Sequence, residues 1–238
     1  MSDLIKSLKD AKFSRERQSI KFILSYILKI FLYRNWLYKK YRKDWKFIFK
    51  GEKYRYFHHL YNMTWENERA VELPIIKSIL TRYKGRNILE LGNVLSHYFN
   101  INHDIIDKYE NRPGIINKDI ISFDTNKKYD LIISISTLEH IGYDEYPRDP
   151  SKIAKTIKKL RDLKKENGEI VITFPTGYNP YLDSFIKSKK IQFDEIYYMK
   201  RLTKDNRWKE VKDLNKIINL KFGEPYPNAN GLIVAFIK

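Results

Sequence analysis

The chain has 238 residues, 42% apolar and 32% charged, which is enough for one full α/β domain with an extension and too apolar for general disorder. It contains no cysteine, which excludes a disulfide framework, thiolate metal ligation and cysteine nucleophiles. Lys and Arg number 46 against 29 Asp and Glu, a net +17, and such a surplus calls for an acidic partner: nucleic acid, an anionic membrane or a polyphosphate.

The charge is unevenly placed. Residues 1–60 hold 16 Lys and Arg against 5 Asp and Glu, a net +11, whereas the remaining 178 residues hold 30 against 24. This asymmetry predicts a basic helical extension over 1–60 ahead of an α/β domain over 61–238. Residues 20–37 are strongly apolar, and Arg17, Lys21, Ser25 and Lys29 recur every four positions as one narrow polar stripe on a helix. The stretch is too short and too often charged to span a bilayer, which takes about 20 mainly apolar residues. It is also a poor signal peptide, since Asp3, Asp10 and Glu16 precede it and no small-residue cleavage site follows.

A basic aromatic run follows, with Arg34, Trp36, Tyr38, Lys40, Tyr41, Arg42 and Trp45 among its members. Rings and cations beside an apolar helix suit an anionic membrane surface, here through residues 20–55, and predict a cytoplasmic protein held peripherally at the membrane. The same residues would serve RNA by stacking and phosphate contact, a reading less favoured here. Packing on the chain's own domain, or in a homodimer, is the remaining alternative.

From residue 61 the pattern changes. Residues 65–83 read as a helix with Ala70, Leu73, Ile76, Ile79 and Leu80 on one face, although Pro74 opens the alternative of two segments joined there; Gly85 ends it. Short apolar runs then occupy 87–91, 105–107, 114–117, 129–134 and 169–174, with two more at 193–199 and 231–237. A helix is expected over 151–165, capped by Ser151 after Pro150. Continuous apolar strands alternating with helices predict a largely parallel sheet covered on both faces, whose ligands bind beyond the carboxyl ends of the strands.

The residues at those ends define a candidate site. After the first run comes Glu90-Leu91-Gly92-Asn93, where glycine lets backbone approach a ligand closely. Asp107 ends the second run and could accept the hydroxyls of a ribose; Asp119, after the third, could accept an exocyclic amine. Each signal alone is weak, because Asp is common in turns. Their order across adjacent strands makes a nucleoside pocket. The fingerprint G-x-G-x-x-G is absent, which argues against a nicotinamide enzyme.

Here the sequence resembles the class I S-adenosylmethionine-dependent methyltransferases. The resemblance rests on Asn87-Ile-Leu-Glu-Leu-Gly92, Asp107, Lys118-Asp119-Ile120 and the stretch from Tyr129 to Ile141, where an aliphatic strand leads into Leu138-Glu139-His140 as in the small-molecule and lipid branches. It covers residues 65–237. It implies a Rossmann-like, seven-stranded, mostly parallel sheet with helices on both faces and a reversed last strand at 231–237. It further implies that Glu90 and Gly92 line the methionine end of S-adenosylmethionine, Asp107 takes the ribose, and Asp119 with Ile120 holds the adenine. Ser134, at the end of the fourth run, is counted with them, and Arg69 could meet the cofactor carboxylate or pair with Glu68 or Glu72. The family's usual Gly-x-Gly loop departs to Gly92-Asn93-Val94-Leu95, with Asn93 standing in for a glycine because Asn tolerates unusual backbone angles.

Methyl transfer needs alignment and, for a hydroxyl, a base. Glu139 and His140 are the candidates, with His favoured on ordinary acidity; either could instead support the loop. Tyr143, Asp144 and Glu145 could wall the acceptor pocket, and Asn179-Pro180-Tyr181 could shape its far side. No histidine pair has metal-ligand spacing, so no metal is assigned. These residues together predict O-methylation of a sugar or glycan, a lipid or another small molecule. The rivals are an RNA methyltransferase using the basic arm and a scaffold that keeps the fold without the cofactor.

Overall fold

The computed structural model describes residues 20–238, so the expectations placed on Arg17, Asp3, Asp10 and Glu16 lie outside the described residues. Helix α1 (Ile20–Leu32) runs on into a wider π-helical turn over Tyr33–Arg42. Strands β1 (Lys46–Phe49) and β2 (Glu52–Arg55) then form an antiparallel hairpin. Its turn, Lys50-Gly51, has positive φ at both residues, as two-residue hairpins require.

The hairpin lies before residue 60, yet Phe47 and Phe49 are buried in the same apolar cluster as Val71, Leu73 and Trp208. The packed body therefore starts near Trp45 and not at 61. The alternation that marks β1 (Phe47 and Phe49 in, Lys46 and Ile48 out) is only four residues long and sits inside the basic aromatic run.

Helix α2 (Arg69–Arg82) is continuous through Pro74. Proline there cannot bond the carbonyl of Ala70, one turn back. The Phe57 N–H donates to that carbonyl instead, at 2.8 Å, so the lost helical bond becomes the dock for the preceding segment. Next come β3 (Ile88–Leu91), β4 (Asp104–Ile106), β5 (Ile115–Ile116), β6 (Tyr129–Ile135), α3 (Ser151–Leu163), β7 (Lys164–Pro175), α4 (Pro180–Lys187), β8 (Glu195–Arg201), β9 (Trp208–Val211) and β10 (Gly231–Ile237). Helix α3 is opened by Asp149, which accepts from the Ser151 N–H at 2.9 Å, and not by a Ser151 cap.

The strands form one sheet in the order β5-β4-β3-β6-β7-β10-β8-β9. Strands β3 to β7 are parallel, and β10 runs antiparallel to both β7 and β8. The reversed last strand is therefore present at Gly231–Ile237, and the sheet has eight strands because β9 adds an antiparallel edge to β8. Along β6, Ile132 faces the α3 and α4 side while Leu131, Ile133 and Ile135 face the α2 side, so each face has its own core. Helices thus cover both faces, as the aliphatic runs predict.

Candidate active site

The chain leaves β3 toward β4 and β5 on one side and later returns to place β6 on the other. The carboxyl ends of β3 and β6 thus form a topological switch point, where open α/β sheets bind ligands. A cavity of about 210 Å³ lies there, walled by residues that follow four neighbouring strands. Gly92, Asn93 and Val94 come from β3, Asp107 to Tyr109 from β4, Lys118 to Ile120 from β5, and Thr137, His140, Ile141 and Glu145 from β6. Of the expected site residues, Gly92, Asn93, Asp107, Asp119, Ile120 and His140 share this one wall.

The loop after β3 is held by side chains from below and beside it. Gly92 has φ +84°, and its N–H donates to the Ile106 carbonyl at 2.9 Å. Asn93 does not take a left-handed conformation, contrary to its expected role as a glycine substitute. Its side chain does other work, with Nδ2 donating to Glu110 at 2.8 Å and Oδ1 accepting from the Ser96 hydroxyl. Leu95 is fully buried in the α2-side core and anchors the loop, while Val94 stays on the cavity wall.

Glu90, expected beside the methionine end, is wholly buried and off the wall. Its Oε1 accepts from the N–H groups of Val94 and Leu95, both at 2.8 Å, and its Oε2 meets His103 at 2.9 Å. It shapes the loop from inside. Ser134 is likewise buried within β6, between Leu91 and Ile172. Thr137, which sequence reasoning passed over, takes the place on the wall.

Asp107 serves the loops as well as the cavity. Oδ1 accepts from the N–H groups of Tyr109 and Glu110 at 2.8 and 2.9 Å, and Oδ2 accepts from the Asn93 N–H at 3.0 Å. A carboxylate offers about four lone-pair sites, so one remains for a ligand hydroxyl. Asp119 Oδ1 accepts from the Ile121 N–H at 3.0 Å. Its Oδ2 lies 3.2 Å from Lys108 and 3.4 Å from Lys152, and both lysines also pair with Glu145. Burial pushes the Asp119 carboxyl up, but the Ile121 N–H and the two lysines outweigh it and hold the group below the usual carboxylate range. Asp119 is therefore an anionic acceptor at the cavity, paired with cations that any ligand amine must displace or join.

Arg69 and Glu139 stand off the cavity wall in a second, buried cluster. Arg69 pairs with Glu72, one helical turn on, one of the helix pairings expected for it. Glu72 Oε1 also accepts from the Ser136 and Thr173 hydroxyls, both at 2.6 Å, and Glu68 accepts from the Ala229 N–H. Glu139 is 1% exposed, and burial, reinforced by the charge of Glu72, pushes its carboxyl well above the usual range.

His140 is the better placed of the two candidate bases. Its ring is partly exposed on the cavity wall, and Nδ1 lies 2.6 Å from Asp144 Oδ2. The Tyr178 hydroxyl donates to the same oxygen at 2.8 Å, and the Tyr178 ring meets the His140 ring edge-on at 4.7 Å. Burial and the Asp144 charge push the Tyr178 phenol up, so it remains a donor. Tyr143 and Phe222 pack edge-on against Tyr178, extending an aromatic wall away from His140.

The loop under that wall is fastened by α4. Asn179 caps the helix, accepting from the Tyr181 and Leu182 N–H groups, and its Nδ2 donates to the Glu139 carbonyl at 2.8 Å. Asp183 Oδ2 accepts from the Gly177 N–H at 2.9 Å, and burial raises its carboxyl to about 6. The folded chain thus binds this proton more tightly than the unfolded one, where Asp titrates near about 3.9. Stability from this group is fullest below about pH 4 and falls as pH rises through about 6. Asp183→Asn, which keeps the acceptor oxygen, is expected to flatten that slope in melting curves taken across the interval; an unchanged slope would assign it to other groups.

The segment before α2 closes over the β3 loop. Tyr61 stacks on His97 with ring centroids 4.6 Å apart, and Tyr98 meets Tyr61 edge-on. His97 in turn lies 3.7 Å from Glu110, the partner of Asn93.

No protein-family model matches the chain, and no curated protein matches it. Among solved structures it is similar to a S-adenosylmethionine-dependent methyltransferase from Clostridium acetobutylicum, at 15% identity over 68% of this chain and 88% of that one, with a TM-score of 0.33. It is also similar to the N-methyltransferase NodS from Bradyrhizobium japonicum, at 13% identity over 71% of this chain and 89% of that one, with a TM-score of 0.39. A third is a SAM-dependent methyltransferase from Archaeoglobus fulgidus, at 15% identity over 69% of this chain and 93% of that one, with a TM-score of 0.41.

Proposed function

We propose that the chain is a S-adenosylmethionine-dependent methyltransferase that transfers a methyl group to a hydroxyl of a glycan, lipid or other small molecule. One observation carries this reading: a single cavity at the switch point gathers Gly92, Asp107, Asp119 and His140 from the ends of four adjacent strands. The donor set fits an adenosyl group. Ile120, Ile141 and Val94 supply apolar walls for a base, Asp119 an anionic acceptor for its amine, and Asp107 the remaining lone pair for a ribose hydroxyl.

When bound, the sulfonium supplies an electrophilic methyl group. The chain's own residues then align the acceptor and remove its proton, which falls to His140 through Nε2, with Asp144 holding Nδ1. The aromatic wall of Tyr178 and Tyr143 suits the flat apolar face of a sugar or a ring-bearing acceptor.

The cavity's 210 Å³ falls below the about 300 Å³ at which small-molecule pockets begin, and on its wall Thr137 packs close against Gly92. That observation favours a second reading, the scaffold without cofactor. Calorimetric titration of the full chain with S-adenosylhomocysteine separates the two. Binding is expected, and Asp107→Ala should weaken it roughly ten- to a hundredfold, the worth of one charge-assisted hydrogen bond. Absence of heat at millimolar ligand would leave the scaffold reading.

A further inference from the structure

Helix α1 is fastened to the body along one side. Ile30 is buried, and Lys29 lies 3.6 Å from Glu66. Successive residues turn by about 100° on a helix, so Lys29 and Ile30 straddle one side while Leu24, Ile27, Leu28, Phe31 and Leu32 fall on the opposite arc. Those five side chains are exposed, Leu28 by 56% and Phe31 by 61%. The apolar stripe is therefore not covered by any described residue of the chain.

We propose that this face of α1 docks on an anionic lipid bilayer, lying in the plane of the surface. Charge and shape together decide the occupant. The 13 described residues of α1 rise about 20 Å, short of the about 30 Å hydrocarbon core, and no helix among the described residues is long and apolar enough to cross it. A second copy of the chain would bring together two quarters that each carry a net +11. A nucleic acid would meet the cations but offers no apolar cover for Leu24, Ile27 and Leu28. A bilayer of acidic lipid answers both features, taking up the stripe at headgroup depth and drawing in the cations.

The cations are placed to take part. Lys40 and Lys43 are exposed on the turn that follows α1. The guanidinium groups of Arg42 and Arg207 both lie over the Trp45 ring, at 5.0 and 3.9 Å. That ring opens a groove of about 690 Å³ between the β1–β2 hairpin and β9, lined in part by Lys46, Lys209 and Lys212. Positive charge therefore continues from the helix onto the sheet edge, where lipid phosphates would meet it.

The test is flotation of the full chain with vesicles of equal parts phosphatidylcholine and phosphatidylglycerol, against phosphatidylcholine alone. The parent chain should float with the acidic vesicles only, and less so as salt rises. Leu28→Glu with Phe31→Glu, both at exposed positions, should cut the bound fraction roughly tenfold while leaving the melting temperature unchanged. Lys40→Glu with Lys43→Glu should weaken binding and flatten its salt dependence. The proposal is overturned if the parent chain stays unbound, or if the Leu28/Phe31 variant floats as the parent does. It is equally overturned if the parent sediments as a dimer that this variant splits, since the stripe would then belong to a second copy. The readout needs no methyl transfer, so its failure would leave the catalytic reading standing.

Discussion

Replacing His140 with Gln is expected to lower kcat by roughly a hundred- to ten-thousandfold while leaving affinity for S-adenosylhomocysteine within about threefold of the parent. The expectation follows from how the ring is held. Asp144 accepts from Nδ1, which fixes the tautomer and turns Nε2 into the acceptor. Glu139, 3.7 Å from Nε2, is too far for a hydrogen bond and so does not block that nitrogen. Tyr178 donates to the same Asp144 oxygen and keeps the carboxylate from swinging away. Asp144→Asn should therefore cost roughly tenfold or more in kcat with little change in KM, since the ring loses its orientation and not its substrate. The assay is transfer of labelled methyl from S-adenosylmethionine into glycan and lipid extracts. Full turnover by His140→Gln would remove the base assignment and leave the ring as a wall of the cavity.

How much of this was legible beforehand depends on what each residue answers to. Strands β3, β6 and β10 and the second half of β7 are buried and read as mainly apolar runs, so their presence follows from the sequence, whereas the reversed last strand was implied only by the family resemblance. Strands β1, β2 and β9 are short and half-exposed at the sheet's flank, where Lys, Arg and Tyr hide the alternation. In the site, residues such as Gly92, Asp107 and Asp119 announce themselves because they follow strand ends. Glu90 and Ser134 sit on the strands themselves, and side chains there alternate between faces. The four-residue reach of Glu90 to the Val94 N–H, which makes it a loop tie, has no signature in sequence. Lys108 and Lys152 escaped notice for a different reason: lysines usually mean solvated surface, and only the fold brings these two to Asp119 and Glu145.

Gly92→Ala should be the most disruptive single-methyl change in the loop after β3, costing about 3 kcal/mol and lowering the melting temperature by roughly 10 °C. Two separate penalties meet at this position. The backbone is left-handed, at φ +84°, where a Cβ is strained whatever the space around it. A Cβ would also clash with Thr137 Oγ1 and stand 2.7 Å from Thr137 Cγ2. Thr137 cannot simply turn aside, because it is branched at Cβ and its hydroxyl donates to the Ile135 carbonyl at 3.1 Å. The two penalties can be told apart. Adding Thr137→Ala removes both clashing atoms and leaves the Cβ of residue 137 at 3.0 Å, so the double variant should recover about half of the lost stability, the packing half. Thr137→Ala alone relaxes the seam between β3 and β6 without touching the backbone of Gly92. If that seam gates the methionine end of the cofactor, this variant should bind S-adenosylhomocysteine more tightly than the parent while melting no higher. Weaker binding would instead make the Thr137 hydroxyl a ligand contact, and equal binding would move the amino-acid end of the site elsewhere along the switch point.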